Sequence, residues 1–194
     1  MNEPTPLKPL GPLLDADADF LKAIIGMTIP MVVLEFGHLY GDSARAMLSA
    51  MHHHARLISI DKDRHPNIPA EETRFTFHQI SQETYIPTEP IDFVFLDASH
   101  DNKLNQQTFE NVIPFLTEKG IIAIHDTGKW PSNVYQFNAG METSDGRYSH
   151  NPDEIRFTNW LQDEYPDWQQ IHFHSDHEVR HGITLLQKKT RLFL

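Results

Sequence analysis

Two aspartates in this sequence end apolar runs and stand beside groups that could move a proton or share a cation. Asp97 follows Ile91-Asp92-Phe93-Val94-Phe95-Leu96, with His100 three residues on; Asp126 follows Ile121-Ile122-Ala123-Ile124-His125, with Thr127 next to it. If the two runs are neighbouring parallel strands, about 4.8 Å apart, the carboxylates at their ends can hold one ion. A hard cation such as Mg²⁺ takes oxygen ligands and keeps several waters, which suits two carboxylates and a substrate. His100 would sit over the same pocket as a general base.

A second constellation precedes these. The run Met31-Val32-Val33-Leu34-Glu35-Phe36 is broken by Gly37, and His38-Leu39-Tyr40-Gly41-Asp42-Ser43 leads into a helical pattern. Gly37 permits a tight turn, and Gly41 lets a ligand approach the helix start. The next apolar run, Leu57-Ile58-Ser59-Ile60, ends at Asp61, about 20 residues further on, where a carboxylate can accept both hydroxyls of a ribose. Glycines at strand-to-helix turns are common; the conjunction with Asp61 is what points to a bound nucleoside.

Positioning these residues takes strands that alternate with helices. Residues 15–27 and 42–54 carry apolar stripes at helical spacing, and further helices are predicted around 105–116 and 153–164. Strands are predicted at 31–36, 57–60, 74–77, 91–96 and 120–124, then near 168–174 and 182–187. The alternation implies an α/β fold whose mostly parallel sheet is covered on both faces. Ligands of such sheets bind beyond the C-terminal strand ends, where the strand order reverses. Residues 1–14, with four prolines, read as an irregular arm before a single domain over 15–194, and 128–150 as a substrate loop or lid.

Glu35-x-Gly37-x-x-x-Gly41-x-Ser43 resembles the first motif of class I S-adenosylmethionine-dependent methyltransferases, in the form found in small-molecule O-methyltransferases. The resemblance continues through Ile60-Asp61, the run ending at Asp97, Gly120 to Asp126, and Gly182-Ile183-Thr184-Leu185-Leu186. It implies a Rossmann-like, doubly wound, seven-stranded sheet with an antiparallel last strand. It also implies S-adenosylmethionine in contact with Glu35, Gly37, His38, Gly41, Ser43, Asp61 and Asp97, with Asp61 on the ribose. The metal-dependent branch, which acts on catechols and macrolide sugars, keeps acids at the positions of Asp97 and Asp126 and a base three residues after the first. Thr127 stands where catechol-type members carry a third, amide ligand. Leu39 departs from the pattern, since many members have another glycine there. The expected reaction is methyl transfer to a hydroxyl, with the cation lowering the hydroxyl pKa and His100 taking the proton.

Other features narrow the field. The chain has 16 basic and 27 acidic residues, a net charge of −11, which argues against gripping a phosphate backbone, so no nucleic-acid partner is expected. No apolar run approaches the ~20 residues of a membrane span, and the start lacks a signal-peptide pattern, so a cytoplasmic location and no membrane partner are expected. The absence of cysteine removes disulfides, thiolate metal sites and cysteine nucleophiles. His172-Phe173-His174-Ser175-Asp176-His177 spells the zinc pattern of metallo-β-lactamase-type hydrolases, but only His181 follows as a further histidine, so it reads as a solvated strand end. His52-His53-His54 reads as a surface feature closing a helix, and Trp130, Tyr135 and Phe137 as candidate walls of a pocket for a small-molecule acceptor. Monomer and homo-oligomer are both open. So are two other functions: an oxidoreductase using an NAD-type cofactor on the same glycine turn, and a non-catalytic cofactor-binding relative.

Overall fold

Among the described residues, short apolar runs and amphipathic helices assemble into one seven-stranded sheet with two helices on each face. The computed structural model describes residues 15–63, 72–128, 153–173 and 182–189. The strands are β1 (Val32–Phe36), β2 (Arg56–Asp61), β3 (Phe75–Gln79), β4 (Ile91–Leu96), β5 (Leu116–His125), β6 (Trp168–Phe173) and β7 (Ile183–Lys188). The helices are α1 (Asp15–Thr28), α2 (Asp42–Ala50), α3 (Asn102–Val112) and α4 (Asp153–Glu164). Their spatial order is β3-β2-β1-β4-β5-β7-β6. The first five strands pair in parallel, and β7 lies antiparallel to both β5 and β6. The Rossmann-like sheet with its antiparallel strand near the end is therefore as expected.

The two faces of the sheet follow from the period of two along each strand. Val33, Leu57, Phe93, Phe95 and Ala123 pack under α1 and α2, against Leu21, Ile25, Ala44 and Met47. Leu34, Phe36, Ile58, Val94, Leu96 and Ile124 pack under α3 and α4, against Phe109, Val112, Phe157 and Leu161. Full burial of each large apolar side chain contributes about 1.5–3 kcal/mol, so the central strand β4 anchors both layers. Its one polar residue, Asp92, is satisfied at the end of the sheet remote from Asp97. It accepts from the amides of Met31 and Val32 at 3.0 and 3.1 Å and from the Thr117 hydroxyl at 3.0 Å.

Three boundaries differ from expectation, each for a local reason. Helix α2 ends at Ala50, because Met51 turns extended while its amide still bonds Met47. The three histidines lie past the helix rather than in it, and are exposed. Helix α3 begins at Asn102 because the Asp101 carboxylate caps it, accepting from Lys103 and Leu104 at 2.8 and 3.1 Å. It gives way at Val112 to a short 3₁₀ turn holding Pro114, which cannot continue a helix, and β5 starts at Leu116. The arm over 1–14, the loop beyond residue 128 with its aromatics, and the histidine motif from His174 onward lie outside the described residues. Among the described residues no helix is long and apolar enough to cross a membrane.

Candidate active site

From β3 the chain returns to place β4 beside β1, so the strand order reverses between those two strands. The C-terminal ends of β1 and β4 therefore open a crevice, the usual ligand position in such a sheet. Gly37 extends the ladder with an amide bond to Ile60, and the Asp97 amide bonds the carbonyl of Phe36, both at 2.9 Å. Gly37 has φ +94°, and a β-carbon there would lie 2.2 Å from the Asp97 carbonyl oxygen. Only glycine fits that approach.

The turn that follows is held by Asp61. One of its carboxylate oxygens accepts from the amides of His38 and Leu39, both at 2.9 Å, and the other from Asp63 at 3.0 Å. Leu39 adopts φ +43°, the left-handed conformation for which glycine is the usual residue. Gly41, at φ +75°, closes the turn through a 2.7 Å bond to the His38 carbonyl and opens α2. A β-carbon on Gly41 would stand 3.0 Å from the His38 ring, so that ring packs directly beneath it.

Glu35, His38 and Ser43 are tied to one another beneath this turn. Glu35 is fully buried and accepts from the hydroxyls of Ser43 and Ser59, each at 2.5 Å. His38 Nδ1 lies 3.3 Å from Glu35 and 3.1 Å from Ser59, and its ring packs on Phe75 and Phe77. These side chains shape the turn from below. Ser59 was legible only as a lone hydroxyl inside an apolar strand.

Across the crevice, the ends of β4 and β5 bring Asp97 and Asp126 together around a residue to which no role was assigned. His125 is 5% exposed, with Nδ1 at 3.2 Å from Asp97 and 3.4 Å from Asp126. Its Nε2 lies 3.2 Å from Asp17 of α1. Burial pulls the imidazole pKa down, but the charges of Asp97 and Asp126 and hydrogen bonds to Asp17 and Asp97 outweigh it. The imidazole pKa is held well above its usual range. One ligand atom each from Asp97, His125 and Asp126 lie within 4.8 Å of one another. Asp126 takes φ +60°, a backbone strain that its neighbours sustain. Capping of α3 falls to Asp101, which leaves Asp97 to the crevice.

His100 lies between Asp126 and a further acid, Glu154. Its Nε2 lies 3.9 Å from Asp126, and its Nδ1 meets Glu154 at the start of α4. Burial raises the Glu154 pKa, opposed by the charge of His100 and the hydrogen bond to it. Thr127 is buried, and its hydroxyl accepts from Thr184 of β7 at 2.8 Å, which in turn lies 2.8 Å from His172 Nδ1. That side chain is thus bonded toward β7.

With the site assembled, its relatives can be placed. The family model described as a methyltransferase domain matches residues 34–127, which run from β1 through the end of β5. That segment, just under half of the chain, is similar to a methyltransferase domain. The matched segment contains the glycine turn, Asp61, Asp97, His100, His125 and Asp126; Asp17 and Glu154 flank it. Three solved structures share the fold at low identity. A Klebsiella pneumoniae protein assigned as an O-methyltransferase aligns with a TM-score of 0.70 and 16% identity over 94% of this chain and 84% of its own. The O-methyltransferase from Bacillus cereus, in complex with S-adenosylhomocysteine, aligns at 0.65 and 17% over 93% and 84%. TomG from Streptomyces achromogenes, an O-methyltransferase involved in tomaymycin synthesis and solved with S-adenosylmethionine, aligns at 0.66 and 14% over 94% and 83%. No curated protein matches the sequence.

Proposed function

We propose that the chain transfers the methyl group of S-adenosylmethionine to a hydroxyl of a small-molecule acceptor, with a divalent cation assisting. The observation that carries this reading is the close approach of Gly37 to Asp97, which joins the turn held by Asp61 to the strand end that leads to Asp126 and His100. The cofactors in the Bacillus cereus and TomG structures support the choice of methyl donor.

Asp61 accepts from three backbone amides and an ionised carboxylate accepts about four hydrogen bonds, so it would take one ribose hydroxyl as it stands and the second where the Asp63 amide gives way. Glu35, His38 and Ser43 hold the turn that Gly37 and Gly41 shape around the cofactor. The donor set fits a divalent ion, with two hard carboxylates from Asp97 and Asp126 and the imidazole of His125 beside them. Mg²⁺ suits the carboxylate pair, and a borderline ion such as Mn²⁺ would also accept the nitrogen; Thr127 would lie alongside. A bound cation supplies Lewis acidity that lowers the pKa of the acceptor hydroxyl. His100 would take the hydroxyl proton at Nε2, leaving the oxygen to form its bond to the methyl carbon as the carbon–sulfur bond breaks and S-adenosylhomocysteine leaves.

Calorimetric titration of the full chain with S-adenosylmethionine and, separately, with NAD⁺ tests the reading. Saturable binding of the former alone is expected. Binding of NAD⁺ alone would replace the methyltransferase with an oxidoreductase.

A further inference from the structure

Glu154 is a buried carboxylate outside the matched family segment. It is 3% exposed at the start of α4, and Phe157 and Leu161, three and seven residues on, are both fully buried under the sheet. Residues at that spacing share one helix face, so the face that anchors α4 also turns Glu154 inward. One of its oxygens bonds His100 Nδ1. The other is buried with no hydrogen-bond partner among the described residues.

With Glu154 ionised its carboxylate can only accept, and a neutral imidazole has one donor nitrogen and one acceptor nitrogen. The bond to Glu154 therefore requires the hydrogen on Nδ1. Nε2 is then the acceptor, and it is the nitrogen 3.9 Å from Asp126. We propose that Glu154 is the positioning residue of His100: it fixes the ring and its tautomer, so that Nε2 meets the acceptor hydroxyl as a base. The role rests on the reading of His100 as that base. Glu154 touches no reacting atom; it acts through the ring it holds. A surface carboxylate could not do this, because solvent would compete for the same nitrogen.

The test is long-range ¹H–¹⁵N spectroscopy of the imidazoles in the full chain above neutral pH, with the His100 signals identified by their loss in His100→Ala. The wild type should show His100 protonated at Nδ1. Glu154→Gln keeps the shape but offers an amide that accepts or donates, so the preference should collapse to a mixture. Turnover with a catechol as probe acceptor should fall roughly 10–100-fold in kcat with little change in KM, less than loss of the base itself. A wild-type His100 protonated at Nε2, or a spectrum unchanged in Glu154→Gln, overturns the proposal. If the tautomer collapses as expected but His100→Ala turns over at the wild-type rate, the positioning stands and the assignment of the base fails.

Discussion

Gly37 and Asp97 meet backbone to backbone at the point where β1 and β4 diverge. The 2.2 Å that would separate a residue-37 β-carbon from the Asp97 carbonyl leaves no room for any side chain. The close approach joins the turn proposed to hold the cofactor to the strand end that carries the first of the two acids. A shift in one is therefore transmitted to the other without an intervening side chain.

Gly37→Ala should accordingly lose about 2–5 kcal/mol of stability, combining a clash with rigid backbone and an unfavourable positive φ. Urea unfolding measures the loss. The same variant should fail to bind S-adenosylmethionine under conditions where it is still folded.

Leu39 should behave in the opposite way. Its φ of +43° costs a non-glycine residue roughly 1–2 kcal/mol, and glycine gives back about 0.5–1 kcal/mol through the unfolded chain. Leu39→Gly should thus be at least as stable as wild type. Leu39→Val, β-branched at the same φ, should be less stable by about 1 kcal/mol or more, and thermal unfolding of the three proteins decides the order.

Asp61→Ala removes the acceptor for two turn amides and for the ribose. S-adenosylmethionine binding should weaken by roughly 1–3 kcal/mol, read by calorimetry. Undiminished affinity would place the cofactor elsewhere.

The strand-helix alternation, the glycine turn and the two acids were readable in the sequence because each rests on neighbours within a strand or a turn, whereas the antiparallel last strand came only from the family resemblance. Asp97 and Asp126 each close an apolar run, and parallel pairing of those runs is enough to bring them together. Asp17, His125 and Glu154 were not readable as site residues. Asp17 and Glu154 look like ordinary acids in a helix's first turn, where the dipole favours them. Only tertiary packing turns them toward histidines 108 and 54 residues away.

His125 gives stability a pH dependence of defined sign. Its folded-state pKa lies above the unfolded value of 6.5, so its contribution is complete below that value and is lost as pH rises through the folded one. The stability gap between wild type and His125→Gln should be widest near pH 6 and narrow on the alkaline side. Urea midpoints across that range measure it, and a gap that widens with pH would contradict the raised pKa.

The same proton competes with a cation. Asp97 and Asp126 cannot hold both at full strength, so binding of Mg²⁺ or Mn²⁺ should release a proton and tighten as pH rises. Calorimetry in buffers of different ionisation enthalpy counts that proton. Chelation should abolish turnover and spare S-adenosylmethionine binding. Full activity in EDTA would leave the His125 imidazolium as the positive charge beside the acceptor.

The two halves of the crevice differ in how far along the chain their parts are drawn. Residues 35–61, one strand-helix-strand unit, supply the turn and the side chains hydrogen-bonded to it, with Phe75 and Phe77 of β3 packed on the His38 ring. The acceptor side takes Asp17 from α1, Asp97 and His100 from the β4–α3 link, His125 and Asp126 from the end of β5, and Glu154 from α4. Contacts of such long sequence separation close late in folding and open with the least stable of their elements. Fraying of α1 or α4 would therefore withdraw Asp17 or Glu154 from its histidine while Asp97 and Asp126 stay fixed on the central strands. Amide exchange in those two helices would then run ahead of exchange in β4 and β5.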